Sequence, residues 1–404
     1  MNARMPLLLL LSSLHVLPIA LAETTPEWAT ASHVGGSGSQ LRLVHVAVLF
    51  RHGERAPLTS FSGDPNRHYT WPMGHGQLTN RGRQTMWALG KWLRARYAHF
   101  LTSDVREVSA RSSPVPRCFD SVAILLYGLY PAVDKERQWK HGQDWQPVPI
   151  TSVPDGTDKY ATPCLPRFLE SLSALYATEV PLSLVGEQAA RPPSPRAEPD
   201  PATAGPRSFA TASNILEFVA TAANVTDKPG VARFMAIARI VDALLLIWLN
   251  EMLVELIGKY QKDNMAGALL KDFVASMKPG HAGGGVMLTQ GQDETNKAPK
   301  VTLYSYHDMN VAGALVGLNG TLSGRPSCGA AIILEVFARS GASDTAADKF
   351  VRLLYKAGDQ HATNIPVEGC ADPCPLQKFN EILERKFKPV TRAQCGWSEH
   401  QPLL

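Results

Sequence analysis

The stretch LRLVHVAVLFRHGERAP, Leu41 to Pro57, joins a mostly apolar run to a cluster of cations. Its first ten residues are rich in β-branched side chains and lack the strict alternation of a half-exposed strand, which predicts a strand covered on both faces. Gly53 and Pro57 then turn the chain, glycine by its conformational freedom and proline by its fixed φ. Arg51, His52 and Arg55 stand at this junction. In an open α/β sheet, ligands bind beyond the carboxyl ends of the strands, and that is where two guanidiniums and an imidazole are expected here.

Working outward, TNRGRQTMWALGKWLRARYAHFL (79–101) starts with Thr79 or Asn80 as a cap and spaces Met86, Leu89, Leu93 and Tyr97 along one helical face. Residues 106–112 form a short strand candidate, and FDSVAILLYGLYP (119–131) reads as a helix ended near Gly128 and Pro131. The prolines and small polar residues of 182–212 cannot build a core. A helical block follows, roughly Ala210 to Met277, then the glycine-rich HAGGGVMLTQGQ (281–292). KVTLYSY (300–306), AAIILEVFA (330–338) and FVRLLYKA (350–357) read as further strands. This order predicts an α/β fold: a doubly wound, mostly parallel sheet domain formed by 41–150 and 291–396, with a smaller helical insertion or cap at 151–290.

Composition narrows the function. A 404-residue chain with 45% apolar and 19% charged residues has material for a large core. Its formal charge of +4 comes without Lys/Arg blocks, so no nucleic-acid partner is expected. Residues 1–22 carry Arg4, a leucine-rich run and Ala20-Leu21-Ala22, the pattern of a signal peptide cleaved before Glu23. Residues 23–40, ending in GGSGSQ, read as a flexible segment. Ile237–Gly258 is the most apolar later segment, but Arg239, Asp242, Asn250, Glu251 and Glu255 make it an amphipathic core helix. The tail 397–404 is too short and polar to anchor anything, so no stable membrane anchor is expected and the chain reads as secreted or luminal. Six cysteines suit disulfides on that route, and Cys370 and Cys374 are near enough for a small loop. Metal binding competes for that pair, but no His or Cys pair at ligand spacing accompanies it, so no metal is expected. Asn224 and Asn319 head glycosylation sequons.

The chemistry follows from the side chains. Forked guanidinium donors at Arg51 and Arg55 match a tetrahedral oxyanion such as phosphate. Their field favours the neutral, nucleophilic form of His52, which can attack phosphorus and hold the phosphoryl group. Asp308 follows the strand at 300–306 and is the candidate proton donor for the leaving oxygen. An unperturbed Asp is protonated only near pH about 3.9, so such a site works best in acid. His307 beside it offers a hydrogen bond or a positive charge to a phosphate oxygen.

These residues carry a resemblance. RHGERAP (51–57) resembles the RHGxRxP signature of the histidine acid phosphatases, branch 2 of the histidine phosphatase superfamily, and SYHDMN (305–310) resembles that family's later His-Asp motif. WPMGHGQLTNRG (71–82) is similar to WPxGxGQLTxxG, ARSSPVPRC (110–118) to RSTDxDRT, and EGCADPCPLQKF (368–379) to the GCxxxCPLxxF segment of the animal lysosomal and prostatic enzymes. The resemblance covers most of residues 43–178 and 262–396. It implies a metal-free, cofactor-free phosphatase acting on small phosphate monoesters. His52 would be the nucleophile and Asp308 the proton donor, with Arg51, Arg55, Arg117 and His307 binding the phosphate. It also implies a disulfide between Cys164 and Cys395, a second between Cys370 and Cys374, and a homodimer as in animal relatives. Phytase-like and lysophosphatidate-specific phosphatases share the site, and a secreted phosphate-binding homologue with little turnover is the competing class.

The chain departs from the pattern at one block. Pro114 and Pro116 stand where the family has aspartates, and Cys118 replaces a threonine. Either the prolines rigidify the turn and Arg117 keeps its role, or Arg117 lacks a carboxylate to orient it. Cys118 and Cys328 are left to pair with each other or to remain buried thiols.

Overall fold

A computed structural model describes residues 33–34, 41–58, 68–154, 158, 160, 266–277, 298–320, 325–341, 345–358 and 360–388. The expected leader at 1–22, the Pro-rich loop 182–212, Cys164, Cys395, Asn224, the amphipathic helix at 237–258 and the tail lie outside them, as does most of the insertion at 151–290.

The strands are β1 (His33–Val34), β2 (Leu41–Arg51), β3 (Val108–Ser112), β4 (Val301–Tyr306), β5 (Ala331–Arg339), β6 (Lys349–Lys356), β7 (Ala362–Asn364) and β8 (Cys374–Pro375). They form one sheet in the order β3-β4-β2-β5-β6-β7, with β1 on β2 and β8 on β6. β3, β4 and β2 run parallel, with Val108 and Val46 both opposite Val301, while β5, β6 and β7 continue antiparallel. The helices are α1 (Asn80–Arg96), α2 (Pro116–Leu129), α3 (Gly267–Ala275), α4 (Asp308–Gly317) and α5 (Leu376–Lys386).

β2 is the spine, and its side chains alternate between two cores. Val46, Val48 and Phe50 pack with Met86, Leu89 and Leu93 of α1 and Val122 and Leu125 of α2. Ala47 and Leu49 face Leu269 and Phe273 of α3, Val311 and Leu315 of α4, and Phe379 and Leu383 of α5. All five β2 residues from Val46 to Phe50 are fully buried. Helices on both faces are what the unbroken apolar run at 46–50 required.

Thr79 caps α1 by accepting from Gly82 N at 3.0 Å. α2 begins at Pro116, three residues ahead of the sequence expectation, because proline suits the first helical position, where its missing N–H costs nothing. Glu335 on β5 is buried and accepts from Arg96 Nη2 at 2.7 Å and Tyr97 Oη at 2.9 Å, which fastens the end of α1 to the sheet. Cys370 and Cys374 form a disulfide with Cα atoms 5.4 Å apart, as expected for a small loop. Cys118 is a buried thiol and does not pair with Cys328. Among the described residues no helix is long and apolar enough to cross a membrane.

The turn after β2 corrects one expectation. Gly53 is not among the described glycines with positive φ, so backbone freedom is not what it supplies. A Cβ on Gly53 would lie 2.5 Å from Gly82 O, and one on Gly82 would lie 2.1 Å from Glu54 O. The two glycines let the turn press against the first turn of α1, where Thr79 N and Thr79 Oγ1 also bond Glu54. Replacing Gly82 by alanine is therefore expected to cost about 1–3 kcal/mol through overpacking against backbone that cannot yield. Thermal melting checks this, and a variant that melts with the wild type would mean that the turn and α1 separate easily.

Candidate active site

Three parallel strand ends meet at one place. Arg51 is paired with Tyr306, and His52 N extends the ladder by donating to Tyr306 O at 2.9 Å. His307 and Asp308 therefore leave β4 directly beside Arg51 and His52. On the other side of β4, Ser113 N donates to Ser305 O at 3.0 Å, and the chain runs on through Pro114 and Pro116 to Arg117 at the start of α2. α4 starts at Asp308, so the N-termini of α2 and α4, each carrying partial positive charge, begin at these strand ends.

Arg51, His52 and Arg55 are all about 95% buried. His52 Nδ1 lies 2.7 Å from Gly53 O. A carbonyl only accepts, so the proton sits on Nδ1, and no hydrogen bond engages Nε2 among the described residues. Burial first, then the charges of Arg51 and Arg117 and the His307 ring, hold His52 well below the usual imidazole range. The ring is neutral with an unshared pair at Nε2. The His52 and His307 ring centroids are 5.6 Å apart.

Hydroxyls set the second histidine and the third arginine. Ser113 Oγ lies 3.1 Å from His307 Nε2, and Cys118 Sγ lies 4.0 Å from Nδ1. Burial and the nearby Arg117 push His307 down to about 3, which favours its neutral form. Burial pushes the Cys118 thiol up to about 12, which keeps it uncharged. Ser121 Oγ accepts from Gly53 N at 3.0 Å and donates to Arg117 O at 2.7 Å, tying α2 to the His52 turn. Among the described residues Arg117 Nε is buried with no hydrogen-bond partner. A buried donor of this kind is suited to an anion. Among the described residues no carboxylate pairs with Arg117, and both prolines lie in the turn and first position of α2 that carry it to the site.

Arg55 joins through its backbone bridge to Leu78, with Nη1 donating to Ala56 O at 3.0 Å, and its charge also depresses His307. Asp308 Oδ1 accepts from Met309 N at 2.8 Å, and Oδ2 accepts from Arg325 Nε and lies 3.5 Å from Arg51 Nη2. Burial alone would raise its pKa, but the Arg325 and Arg51 guanidiniums together hold the carboxyl well below the usual range. Arg111 supports the floor, since it bonds Tyr306 Oη at 2.9 Å and Asp158 Oδ1 at 3.1 Å and stacks on Tyr160.

All six expected site residues thus converge. Arg325, Ser113, Ser121 and Asn310, which accepts from His307 N at 3.2 Å, were missed. Only Ser121 carried a signal, four residues beyond Arg117 on the same helical face. Asn319 sits at the opposite end of α4. Its amide nitrogen donates to Glu368 and its oxygen accepts from Lys386 at 2.7 Å, so an attached glycan would displace the Glu368 bond. Among the described residues no three His, Cys, Asp or Glu side chains are grouped as metal ligands.

Known proteins share both the sequence pattern and the fold. Residues 42–168 match the family described as the histidine phosphatase superfamily (branch 2). The chain is 28% identical over 388 residues to prostatic acid phosphatase of Rattus norvegicus, covering 91% of this chain and 93% of that protein. Lysosomal acid phosphatase of Bos taurus is 26% identical, over 84% of this chain and 77% of its own length. Among solved structures, Hafnia alvei phytase in complex with tartrate superposes with a TM-score of 0.56 at 16% identity, covering 89% of this chain and 99% of that one. Klebsiella sp. ASR1 phytase gives 0.57, also at 16% identity, over 87% and 98%.

Proposed function

We propose that the chain, whose residues 42–168 match branch 2 of the histidine phosphatase superfamily, is an acid phosphatase that hydrolyses phosphate monoesters through a phosphohistidine on His52. One observation carries the reading. A neutral histidine, its Nδ1 fixed on Gly53 O and its Nε2 unengaged, lies buried in the field of two arginines. Such a ring is a nucleophile held beside cations that bind what it attacks.

In the first step His52 Nε2 attacks phosphorus as the bond to the ester oxygen breaks, and that oxygen takes a proton from Asp308. Arg51, Arg55 and Arg117 spread the charge of the phosphoryl oxygens, and His307 hydrogen-bonds one of them. In the second step Asp308, now a carboxylate, takes a proton from water, which attacks phosphorus. The P–N bond breaks, and inorganic phosphate leaves with the Nε2 pair restored to the ring. Asp308 must be protonated at the start, although Arg325 and Arg51 favour its ionised form. The incoming phosphate supplies what is needed, since its negative charge opposes ionisation of the neighbouring carboxyl and competes for Arg51.

The α/β parts, 41–150 and 291–396, are the catalytic domain in this reading, and the intervening 151–290 selects the substrate. The leader-like residues 1–22 and the Cys370–Cys374 disulfide support a secreted or luminal location. Hydrolysis of a small aryl phosphate measured across about pH 3–8 is expected to peak on the acid side and to be indifferent to a chelator. An optimum at or above neutrality, or phosphate binding with no turnover, would overturn the reading, the latter favouring a binding protein.

A further inference from the structure

The segment ahead of β5 reaches the site at two adjacent residues. Arg325 Nε donates to Asp308 Oδ2, and the next carbonyl, Pro326 O, accepts from Arg51 Nη1 at 2.7 Å. Arg51 Nη2 stands 3.5 Å from the same Asp308 oxygen. The carboxyl is therefore held at three points: by Met309 N–H through Oδ1, and through Oδ2 by guanidiniums from the end of β2 and from the segment before β5. The Arg325 side chain is 24% exposed against 6% for Arg51, so it approaches from the solvent side of the pocket.

Every described element packed around Asp308 brings a group to it. β2 and its turn bring Arg51 and His52, α2 brings Arg117 and Cys118, β4 ends in His307, and the segment before β5 brings Arg325. In acid the His307 ring and the Cys118 thiol are uncharged, which leaves the arginines as the charges that bias the carboxyl. Arg51 and Arg117 are committed to phosphate in the reading above, whereas Arg325 lies at the rim and bonds the carboxyl directly.

We propose that Arg325 is a positioning residue for Asp308: its guanidinium holds the carboxyl in place between β2 and α4 and sets the pH above which the leaving oxygen goes unprotonated. This rests on the phosphatase reading. Removing the cation makes the carboxyl keep its proton to higher pH, so the basic limb of the kcat profile moves upward. An adjacent opposite charge moves a carboxyl by about one to three pH units, and a partly exposed one belongs at the low end.

The test is kcat and KM for glycerol phosphate, an alkyl ester that needs a donor, in wild type, Arg325→Gln and Arg325→Lys across about pH 3–8. The glutamine variant should show its basic limb displaced upward by about one pH unit with KM within about twofold, and the lysine variant should return the limb toward wild type. An unmoved limb in the glutamine variant would reduce the contact to a rim ion pair and overturn the proposal. So would a KM raised about tenfold without a limb shift, which would make Arg325 a substrate contact. Calorimetric titration with inorganic phosphate in two buffers of different ionisation enthalpy supplies a readout that needs no turnover. Proton release by phosphate itself is common to both proteins, so Arg325→Gln should take up fewer protons than wild type near pH 5. A wild type without turnover would sink the phosphatase reading, while equal proton uptake in the two proteins would sink the role of Arg325.

Discussion

Alanine at position 52 leaves a folded protein whose kcat/KM for an aryl phosphate falls by about 10⁴-fold or more. The fold survives because what β2 takes from this residue is its backbone N–H, which donates to Tyr306 O and is untouched by the substitution. The activity does not survive, because the anion-holding arginines remain but the atom that becomes bonded to phosphorus is gone, and removing a nucleophile costs far more than removing a binding contact. Rapid quenching into alkali, in which a P–N bond survives, with a labelled ester should trap phosphate on the wild type and none on the variant. Residual turnover within about tenfold of wild type would place the nucleophile elsewhere, with His307, its ring centroid 5.6 Å away, the first suspect.

The same histidine explains how such a site works in acid at all. An ordinary imidazole titrates near about 6.5 and would be protonated, and useless as a nucleophile, at pH 5. The pKa of His52 is depressed by burial and by Arg51 and Arg117, so the ring stays neutral as pH falls below the ordinary range and gains its proton only further down. In the proposed mechanism Asp308 has the opposite requirement, since it carries a proton in the first step and loses it in the second. The working window lies above the depressed His52 value and below the Asp308 value in the substrate complex. Arg51, which widens it on the acid side by depressing His52, narrows it on the other by depressing Asp308.

How much of this could be read from the chain depends on whether a signal was local. β2 was legible because residues 46–50 are buried on both faces and show no polar alternation. α1 was legible because Met86, Leu89 and Leu93 fall on one buried stripe behind the Thr79 cap. α4 is not legible in the chain, since all of Asn310 to Leu315 is buried and no 3.6-residue stripe exists to be seen. α5 had such a stripe in Leu376, Phe379, Ile382 and Leu383, but it lay inside a motif that drew the reading to its cysteines. The reason for Gly53 was misjudged because its constraint is Gly82, a residue 29 positions away that only the fold brings near. Arg325 was invisible for the same reason. Nothing in RPSC marks an arginine as a partner of Asp308, and the pairing exists only because the segment before β5 passes over the end of β2.

Asparagine at position 308 is the sharper test of chemistry, because it keeps the side chain's shape and the oxygen that accepts from Met309 N while removing the proton. With glycerol phosphate, whose alkoxide leaves only when protonated, kcat should fall by about 10²–10⁴-fold, the usual worth of a general acid. With nitrophenyl phosphate, whose leaving oxygen needs no proton, phosphoryl transfer to His52 should survive. Hydrolysis of the phosphohistidine then lacks its base, so a burst of nitrophenol equal to the enzyme present should precede a slow steady rate. The ratio of the two losses therefore separates donor from binder. Equal losses on both esters with no burst would mean that Asp308 serves to hold Arg51 and Arg325 in place, and the proton would have to come from a group other than this carboxyl.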